Sequence, residues 1–485
     1  MSKALDENFL NQNGKLPLVC VQGLGFVGLA MATVLSSTRD NSGAPKYRVV
    51  GVDLPGRDDF YKKINSGVLP FESEDRTFGE ELQESVLVNK NLMATSSVDY
   101  YSKADVIVCD VHLTIEKKSS DDYTNYFLHD GPFKEAIKVL GRYMKEDCLL
   151  VVETTVPPGF CKNVVMPILK EEFTKRGIAS EPLVVHSYER VMPGKEYLSS
   201  IRNYPRTFAA VSKKAEAVGR EFLSSFINQS QASLREELST DASELAKVME
   251  NSFRAMNIAF IQEWTVLAEK MGVNLFSVIE GIRNRPTHRN IMAPGFGVGG
   301  YCLTKDSLLG LWTNDNLLKD GEGLPMSLAA LKTNDQMPLH SINLLKSRKA
   351  LSGKRLALLG VSYREDVGDT RYSPSETFFN AAVGEGACVQ VHDPYVDCWP
   401  EIPNASFIED MSRLVEFDVI VLATRHEQYL SMKPEEWLTL TKKGALFLDG
   451  NNVLTDKAIT LLLKNGRDVV GVGKGHIASM KERFQ

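Results

Sequence analysis

The chain has 485 residues and a formal net charge of −6, and 43% of the residues are hydrophobic and 24% charged. This length predicts roughly three domains, and the acidic balance argues against a broad basic surface for nucleic acid. Seven scattered cysteines without a CxxC pair argue against a disulfide framework or a structural zinc site. We expect a cytoplasmic protein without a membrane span, because the first residues lack a signal-peptide pattern and no apolar run is long enough.

Apolar runs alternate with helical stretches along the first 211 residues. The runs cover residues 16–22, 47–53, 105–111, 148–153, 182–187 and 207–211. Strands that alternate with helices predict a parallel sheet with helices on both faces. The helix after the first run is expected to bury one face, formed by Val27, Ala30, Met31 and Val34.

One long helix is expected from 241 to 272, with Asp241 as its N-cap, Glu244 as the capping partner and Gly272 as its stop. A helix of about 30 residues often spans between domains or packs in a dimer. A second α/β unit is expected to start near 351–354, because further apolar runs follow at 355–360, 389–393, 419–424 and 445–449.

The first apolar run ends in the sequence GLGFVG at 23–28, a GxGxxG motif between a predicted strand and a predicted helix. Gly23 permits a tight turn, Gly25 lets the backbone approach a pyrophosphate, and Gly28 lets the helix pack against the strand. Asp53 ends the next strand-like run, where an acid would bind ribose hydroxyls and repel a 2′-phosphate. The motif predicts NAD binding, which the nearby Arg57 weakens slightly; the alternative is a purely structural glycine turn.

Lys247 and Asn251 lie four residues apart on the long predicted helix and therefore share a face. Apolar neighbours such as Val248 and Phe253 flank them. A lysine and an asparagine in such surroundings indicate a polar cleft, and the alternative is an ordinary solvated helix face.

Cys302 follows two glycines and precedes Lys305 and Asp306 within about one helical turn. A nearby cation favours the thiolate form of a cysteine, and an acid can move protons or orient water. These residues suggest a nucleophilic site, and the alternative is a buried cysteine beside a solvated Lys–Asp pair. The eight histidines form no metal-binding pattern, so no metal is expected.

These motifs together resemble the nucleotide-sugar 6-dehydrogenases, the group of UDP-glucose, UDP-N-acetylhexosamine and GDP-mannose dehydrogenases. The resemblance covers nearly all of 18–473, in the family's order. Besides the glycine motif, it rests on ETTVPPG at 153–159, SYERVMPG at 187–194, ELAKVMEN at 244–251, the cysteine loop at 294–306, Asn334-Asp335 with Met337-Pro338, the loop from YREDV at 363–367 to RYSP at 371–374, and HDPY at 392–395.

The resemblance implies two Rossmann-like doubly wound α/β domains joined by a long central helix and a helical dimerisation domain. The implied boundaries are 1–213 for the NAD-binding domain, 214–335 for the central domain and 336–485 for the nucleotide-sugar-binding domain. NAD is the implied cofactor, a UDP-sugar the implied partner, and a homodimer or higher homo-oligomer the implied assembly.

The resemblance also implies roles for individual residues. Cys302 would be the covalent nucleophile, Lys247 would stabilise oxyanions at C6, and Asn251 would add a hydrogen bond. Asp306 would position water or accept a proton, and Thr155 and Glu189 would order the hydrolytic water. The implied cofactor-binding residues are Gly23, Gly25, Phe26, Val27, Gly28, Asp53, Thr155 and Lys305. The implied substrate-binding residues are Glu189, Arg190, Val191, Lys247, Asn251, Arg289, Gly299, Arg364 and Arg371.

Several positions depart from the family's pattern, and they bear on the choice of sugar more than on the chemistry. They are His112-Leu113-Thr114 in place of Pro-Thr-Pro, Tyr188 in place of proline, Tyr301 before the cysteine, Arg364 in place of lysine, and the choice between Arg285 and Arg289 as the arginine supplied across a dimer. The loop at 187–194 favours UDP-N-acetylglucosamine or UDP-N-acetylmannosamine as substrate. UDP-glucose oxidation, a β-hydroxyacid-type dehydrogenase and a non-catalytic nucleotide-sugar-binding protein are the alternatives.

Overall fold

The computed structural model describes residues 9–10, 16–118, 122–191 and 194–483. The chain forms two compact units. Unit 1 comprises Met1–Met249 with Leu308–Gly323, and unit 2 comprises Glu250–Ser307 with Leu324–Gln485.

Unit 1 is built on an eight-stranded sheet in the order β10-β9-β8-β7-β4-β1-β2-β3. Neighbouring strands are parallel except for β8 and β9, so β9 and β10 run opposite to the other six strands. Strand β1 pairs with β2 and β4 through Val19↔Val49 and Val19↔Val106. This confirms the predicted parallel α/β organisation. The strands are β1 (Leu18–Gln22), β2 (Arg48–Val52), β3 (Leu92–Thr95), β4 (Val106–Cys109), β7 (Leu149–Val152), β8 (Leu183–His186), β9 (Arg206–Ala210) and β10 (Leu234–Glu236).

A small antiparallel hairpin, β5 (Thr114–Lys117) with β6 (Tyr126–His129), also belongs to this unit. The helices of unit 1 are Phe26–Ser37, Asp58–Asn65, Arg76–Gln83, Gly131–Tyr143, Met166–Lys175, Tyr197–Asn203 and Lys213–Ser224.

The helix Phe26–Ser37 differs from its one-faced prediction, because every residue from Gly28 to Ser36 is buried. It packs on the sheet and is covered by the helices Arg76–Gln83 and Tyr197–Asn203. Its polar side chains bond both within the helix and to neighbouring elements: Thr33 Oγ1 donates to the carbonyl of Leu29 at 2.9 Å, and Ser36 Oγ donates to Ser85 Oγ at 2.9 Å.

Unit 2 contains a six-stranded parallel sheet in the order β13-β12-β11-β14-β15-β16. Its strands are β11 (Arg355–Leu359), β12 (Cys388–His392), β13 (Ser406–Phe407), β14 (Val419–Leu422), β15 (Leu446–Asp449) and β16 (Asp468–Gly471). Its helices are Leu275–Arg283, Pro325–Lys346, Pro374–Gly384, Glu427–Leu430, Pro434–Leu440, Asp456–Lys464 and Ile477–Glu482. The second α/β unit predicted from the sequence is thereby confirmed.

The long helix spans Thr240–Lys270 and contributes residues to both units. Its predicted cap is wrong: the N–H of Ala242 is 3.2 Å from Ser239 Oγ, so Ser239 caps the first turn. Glu244 is directed instead to the turn at 159–161. Gly272 follows the helix with a φ of +71°, the left-handed conformation expected of a glycine stop.

The helix Asp306–Thr313 also contains residues of both units. The helix Pro325–Lys346 continues through Pro338, one of the residues on which the family resemblance rests. Among all helices in the described ranges, none is both long enough and apolar enough to cross a bilayer.

Both sheets reverse their strand order at a central pair of strands, β1 and β4 in unit 1 and β11 and β14 in unit 2. In doubly wound folds, ligands bind beyond the carboxyl ends of the strands at such a switch point. The glycine motif follows β1, and the loop at 361–373 follows β11. Two of the predicted functional segments therefore lie where this topology favours ligand binding.

Candidate functional site

The glycine motif forms a tight turn after β1. Gly23 has a φ of +91°, and a Cβ there would lie 2.8 Å from the carbonyl oxygen of Asp110. A Cβ on Gly28 would lie 1.9 Å from the carbonyl oxygen of Gly23, whereas a Cβ on Gly25 would meet nothing within 4 Å. Two of the glycines are thus required by packing, and the third borders open space. These residues fit the diphosphate of NAD, which such a turn holds against a helix N-terminus.

Asp53 lies directly beside this turn. Its Oδ2 accepts hydrogen bonds from the Leu24 N–H at 2.9 Å and from Arg57 Nη1 at 2.5 Å. The Arg57 guanidinium also stacks on the Phe60 ring, 3.7 Å from its centroid. The acid predicted to recognise the ribose is therefore fixed in place, and Arg57 partly balances its charge.

Phe26 and Val27 begin the helix after the glycine turn. The Phe26 side chain is partly exposed, with its ring centroid 4.7 Å from that of Phe71, and Val27 is half-buried.

Asp110, which sequence reasoning missed, follows β4 beside the glycine turn. Burial, together with the charge of Glu189, raises the pKa of its carboxyl to about 8, although the charge of Arg206 opposes that rise. Arg206 forms a buried ion pair with Glu153. The sequence feature that could have identified Asp110 is its place directly after the wholly apolar strand β4, at the switch point of the sheet.

Lys247 is buried, which excludes the solvated-face interpretation for this residue. Its Nζ donates to the backbone carbonyl of Glu189 at 2.8 Å and lies 3.8 Å from Glu189 Oε1. The Val191 N–H donates to Glu189 Oε2. Three residues that the resemblance assigned to the site are thus brought together in unit 1.

Tyr188, a departure from the family's pattern, is buried between two cations. Its ring centroid lies 5.5 Å from Lys247 Nζ and 5.0 Å from the Arg190 guanidinium carbon. Arg190 Nη2 donates to the Tyr188 hydroxyl at 2.9 Å, and Nη1 donates to the carbonyl of Pro205. Arg190 is therefore held by protein groups. Met192 and Pro193 of this loop lie outside the described residues.

Thr155 is half-buried on the turn that follows β7. The neighbouring Thr154 Oγ1 donates to the carbonyl of Val111 at 2.9 Å, which ties this turn to the segment after β4. The far end of the turn is held by Glu244, whose carboxylate accepts the N–H groups of Gly159 at 2.5 Å and Cys161 at 2.9 Å.

In unit 2, Cys302 is exposed, and the predicted Lys–Asp pair beside it is buried. The alternative considered from the sequence, a buried cysteine beside a solvated Lys–Asp pair, is therefore wrong. Lys305 Nζ donates to Asp306 Oδ1 at 2.9 Å, and Asn251 Nδ2 donates to Asp306 Oδ2 at 2.6 Å. The carbonyl of Cys302 accepts the N–H of Asp306 at 3.0 Å, which places the cysteine in the turn before a helix N-terminus. The positive end of a helix dipole favours an anionic sulfur there.

Gly299 and Gly300 pack against the loop that follows β11. A Cβ on Gly299 would lie 2.6 Å from the Tyr363 Cβ, and one on Gly300 would lie 2.8 Å from the Tyr363 ring. The structure therefore shows a packing role for Gly299, beside the binding role that the resemblance implied.

Arg364 and Arg371 lie on this loop, on either side of Asp369. Arg371 binds Asp369 with two hydrogen bonds, Nε to Oδ1 at 2.9 Å and Nη2 to Oδ2 at 2.6 Å. Burial raises the pKa of Tyr363. Asp369 and Cys302 add to this rise, and Arg364 and Arg371 oppose it. Tyr363 therefore feels the charges of both ends of this loop and of the cysteine loop.

Arg289 and Arg285 lie on an exposed stretch around the helical turn Pro286–His288. Within the part of the chain that the structure describes, no cluster of three or more His, Cys, Asp or Glu side chains could hold a metal ion.

The glycine turn after β1, with an acid beside it after β2, is typical of an NAD-binding domain, and such a domain indicates an NAD-dependent oxidoreductase. Residues 17–227 match the NAD binding domain of the UDP-glucose/GDP-mannose dehydrogenase family, 241–336 match its central domain and 357–456 its UDP binding domain. The chain belongs to this family.

Individual relatives agree with this assignment. A UDP-N-acetyl-D-mannosamine dehydrogenase of Pyrococcus horikoshii is 30% identical over 467 residues, which cover 95% of this chain and 100% of the relative. One of Methanocaldococcus jannaschii is 27% identical over 479 residues, 96% of this chain and 99% of the relative. The crystal structure of an NDP-N-acetyl-D-galactosaminuronic acid dehydrogenase from Methanosarcina mazei superimposes with a TM-score of 0.79 at 26% identity, over 97% of this chain and 98% of that one.

Proposed function

We propose that the protein oxidises the C6 hydroxymethyl group of a UDP-N-acetylhexosamine to the carboxylate, through a covalent intermediate on Cys302. UDP-N-acetylmannosamine and UDP-N-acetylglucosamine are the favoured substrates, and UDP-glucose is the alternative. The observation that carries the proposal is an exposed cysteine at a helix N-terminus, beside a buried network of Lys305, Asp306 and Asn251. The relatives named above support the acetamido sugar.

When bound, NAD accepts one hydride in each of two oxidations at C6. In the first, the hydroxyl also loses a proton and becomes an aldehyde. The Lys247 ammonium stabilises the negative charge that develops on the C6 oxygen. Its hydrogen bond to the Glu189 carbonyl fixes the direction from which it approaches.

The Cys302 thiolate then attacks the aldehyde carbon. A carbon–sulfur bond forms, and the oxygen takes a proton to give a thiohemiacetal. Loss of a second hydride from C6 and of the hydroxyl proton gives a thioester. Covalent capture retains the aldehyde between the two oxidations and divides one difficult reaction into easier steps.

Water completes the reaction by adding to the thioester carbon, after which the carbon–sulfur bond breaks and the thiolate is restored. Asp306 positions this water or takes its proton, and Thr155 and Glu189 help to order it. Each nucleotide sugar thus consumes two NAD and one water, and yields one carboxylate, two NADH and three protons.

The proposal includes the domain division 1–213, 214–335 and 336–485, which the three family matches support. It also includes a homodimer. The long helix exposes a stripe of large apolar side chains: Leu245, Met249, Phe253, Phe260, Trp264 and Leu267. A second copy of this helix would cover the stripe, and Arg289 or Arg285 would be the arginine supplied to the partner's substrate.

NADH stoichiometry tests the covalent mechanism. The wild-type chain should yield two NADH for each UDP-N-acetylmannosamine or UDP-N-acetylglucosamine that it oxidises. In Cys302→Ser, steady turnover should collapse, because a serine hydroxyl is almost wholly protonated at neutral pH. Mass spectrometry should then show a slowly formed ester on Ser or none at all.

Cys388→Ser is the matched control, since Cys388 is also exposed and lies at the start of β12. It should keep the wild-type rate and stoichiometry. A Cys302→Ser variant that still makes two NADH per sugar at the wild-type rate would end the covalent proposal.

A further inference from the structure

Three polar side chains meet beyond the carboxyl ends of neighbouring strands in unit 2. Ser362 follows β11, Asp393 follows β12 and His426 follows β14, and all three are buried. His426 Nε2 lies 3.1 Å from Asp393 Oδ2 and 3.1 Å from Ser362 Oγ. The cluster lies directly beneath the loop at 361–373, at the switch point of the sheet.

The hydrogen bonds define which nitrogen of His426 carries the proton. The backbone N–H of Asp366 donates to Nδ1 at 3.0 Å, so Nδ1 must present a lone pair. The neutral ring then carries its proton on Nε2, which donates to Asp393 and Ser362. The Ser362 hydroxyl can in turn donate to the carbonyl of Arg364 or to Asp393 Oδ2, each 3.1 Å away.

Asp393 is suited to be the acceptor in this network. Burial alone would raise the pKa of its carboxyl, but the hydrogen bond from His426 and those from the N–H groups of Ser362 and Tyr395 lower it below its usual value. Asp393 also accepts the N–H of Val361 at 2.8 Å, so it fixes the start of the loop.

The turn that His426 holds has an unusual backbone. Asp366 has a φ of +54°, in the left-handed region that residues other than glycine seldom adopt. Two contacts hold it there: its N–H donates to His426, and its Oδ1 accepts the N–H of Glu427 at 2.9 Å.

We propose that His426 is a positioning residue for nucleotide-sugar binding, because one rigid ring fixes the loop backbone on both sides of Arg364. The ring accepts from Asp366 on one side of the turn and reaches the Arg364 carbonyl through Ser362 on the other. The inference rests on the proposed role of this loop in binding the substrate.

Calorimetric titration of the full-length chain with UDP tests the inference. His426→Ala should raise the Kd for UDP by about 10–100-fold, the effect expected when buried hydrogen-bonding groups lose their partner. The Kd for NAD should stay unchanged. His426→Asn can still accept near Nδ1, and His426→Gln can still donate near Nε2, so each should recover part of the affinity.

His476→Gln is the matched control, because His476 Nε2 also faces a carboxylate, 3.0 Å from Asp456 Oδ1, but lies away from the loop. It should bind UDP like the wild type. If wild-type protein fails to bind UDP, the proposed substrate class is wrong. If the wild type binds and His426→Ala binds equally well, the role of His426 is wrong.

The imidazole ring of His426 gives a second test. A variant is needed only to assign its nitrogen-15 signals. Nitrogen-15 spectra of the labelled wild-type chain should show His426 neutral, with the proton on Nε2 and none on Nδ1. A ring protonated on Nδ1 would overturn the inference, since it could not accept the Asp366 N–H. This result stands even if His426→Ala fails to fold.

Discussion

Glu244 offers a sharp test of how unit 1 positions its site. Its carboxylate is buried and accepts the N–H groups of Gly159, Phe160 and Cys161 at 2.5, 3.1 and 2.9 Å. It therefore ties the turn that carries Thr155 to the long helix, three residues before Lys247. We expect Glu244→Gln to disturb both stability and turnover.

The amide of glutamine keeps one acceptor oxygen and replaces the other with a donor. At least one backbone N–H of the turn then faces an N–H group, and an unsatisfied buried donor costs about 1–3 kcal/mol. At pH 5, this full cost should appear as a lower free energy of unfolding of Glu244→Gln relative to the wild type. The rate of amide hydrogen exchange at Gly159 should rise by a corresponding factor.

The pH dependence follows from the carboxyl itself. Burial raises the pKa of Glu244 from 4.5 to about 7, although hydrogen bonds from the Cys161 thiol and from the N–H groups of Cys161 and Gly159 oppose that rise. The folded state then holds the proton more tightly than the unfolded state, so wild-type stability falls as pH rises from about 4.5 through about 7. The pKa rise from 4.5 to about 7 corresponds to about 3 kcal/mol of unfolding free energy. The glutamine variant lacks this dependence on pH.

Guanidinium unfolding of both proteins at pH 5 and pH 8 measures the difference, with Glu171→Gln as a control on an exposed glutamate. The wild type should be more stable than Glu244→Gln at pH 5, and this difference in unfolding free energy should narrow or reverse at pH 8. A gap that widens with pH would refute the reasoning, because it would mean that the N–H groups outweigh burial.

Three further predictions concern the cofactor, the substrate and the assembly. Asp53→Ser should raise the ratio of kcat/KM for NADP to kcat/KM for NAD by about ten-fold or more, because Arg57 loses its carboxylate partner and can bind a 2′-phosphate. An unchanged ratio would show that Asp53 takes no part in cofactor recognition. Arg371→Ala should raise the KM for the nucleotide sugar and leave the KM for NAD nearly unchanged, since a diphosphate needs forked donors; equal loss of both would show that the loop was misassigned. Phe253→Asp should give a monomer in sedimentation, whereas Val415→Asp, at an exposed apolar residue outside the long helix, should not; a Phe253→Asp dimer would contradict the proposed interface.

Local sequence patterns were sufficient for most of the fold. The runs at 16–22 and 355–360 became β1 and β11, because continuous apolar segments between turn residues are typical of strands buried on both faces. Short edge elements escaped prediction. The hairpin of β5 and β6 and the two-residue strand β13 are too short and too polar to produce a hydrophobic pattern.

The sequence by itself determined the glycine turn, the long helix and the candidate nucleophile, because each depends on residues adjacent in the chain. The tertiary structure alone decided what Glu244 and His426 bind, since their partners lie 83–85 and 33–64 residues away in sequence. It also decided that Cys302 is exposed while Lys305 is buried, only three residues apart. Burial and pairing are set by packing between distant segments, which the local order of residues does not specify.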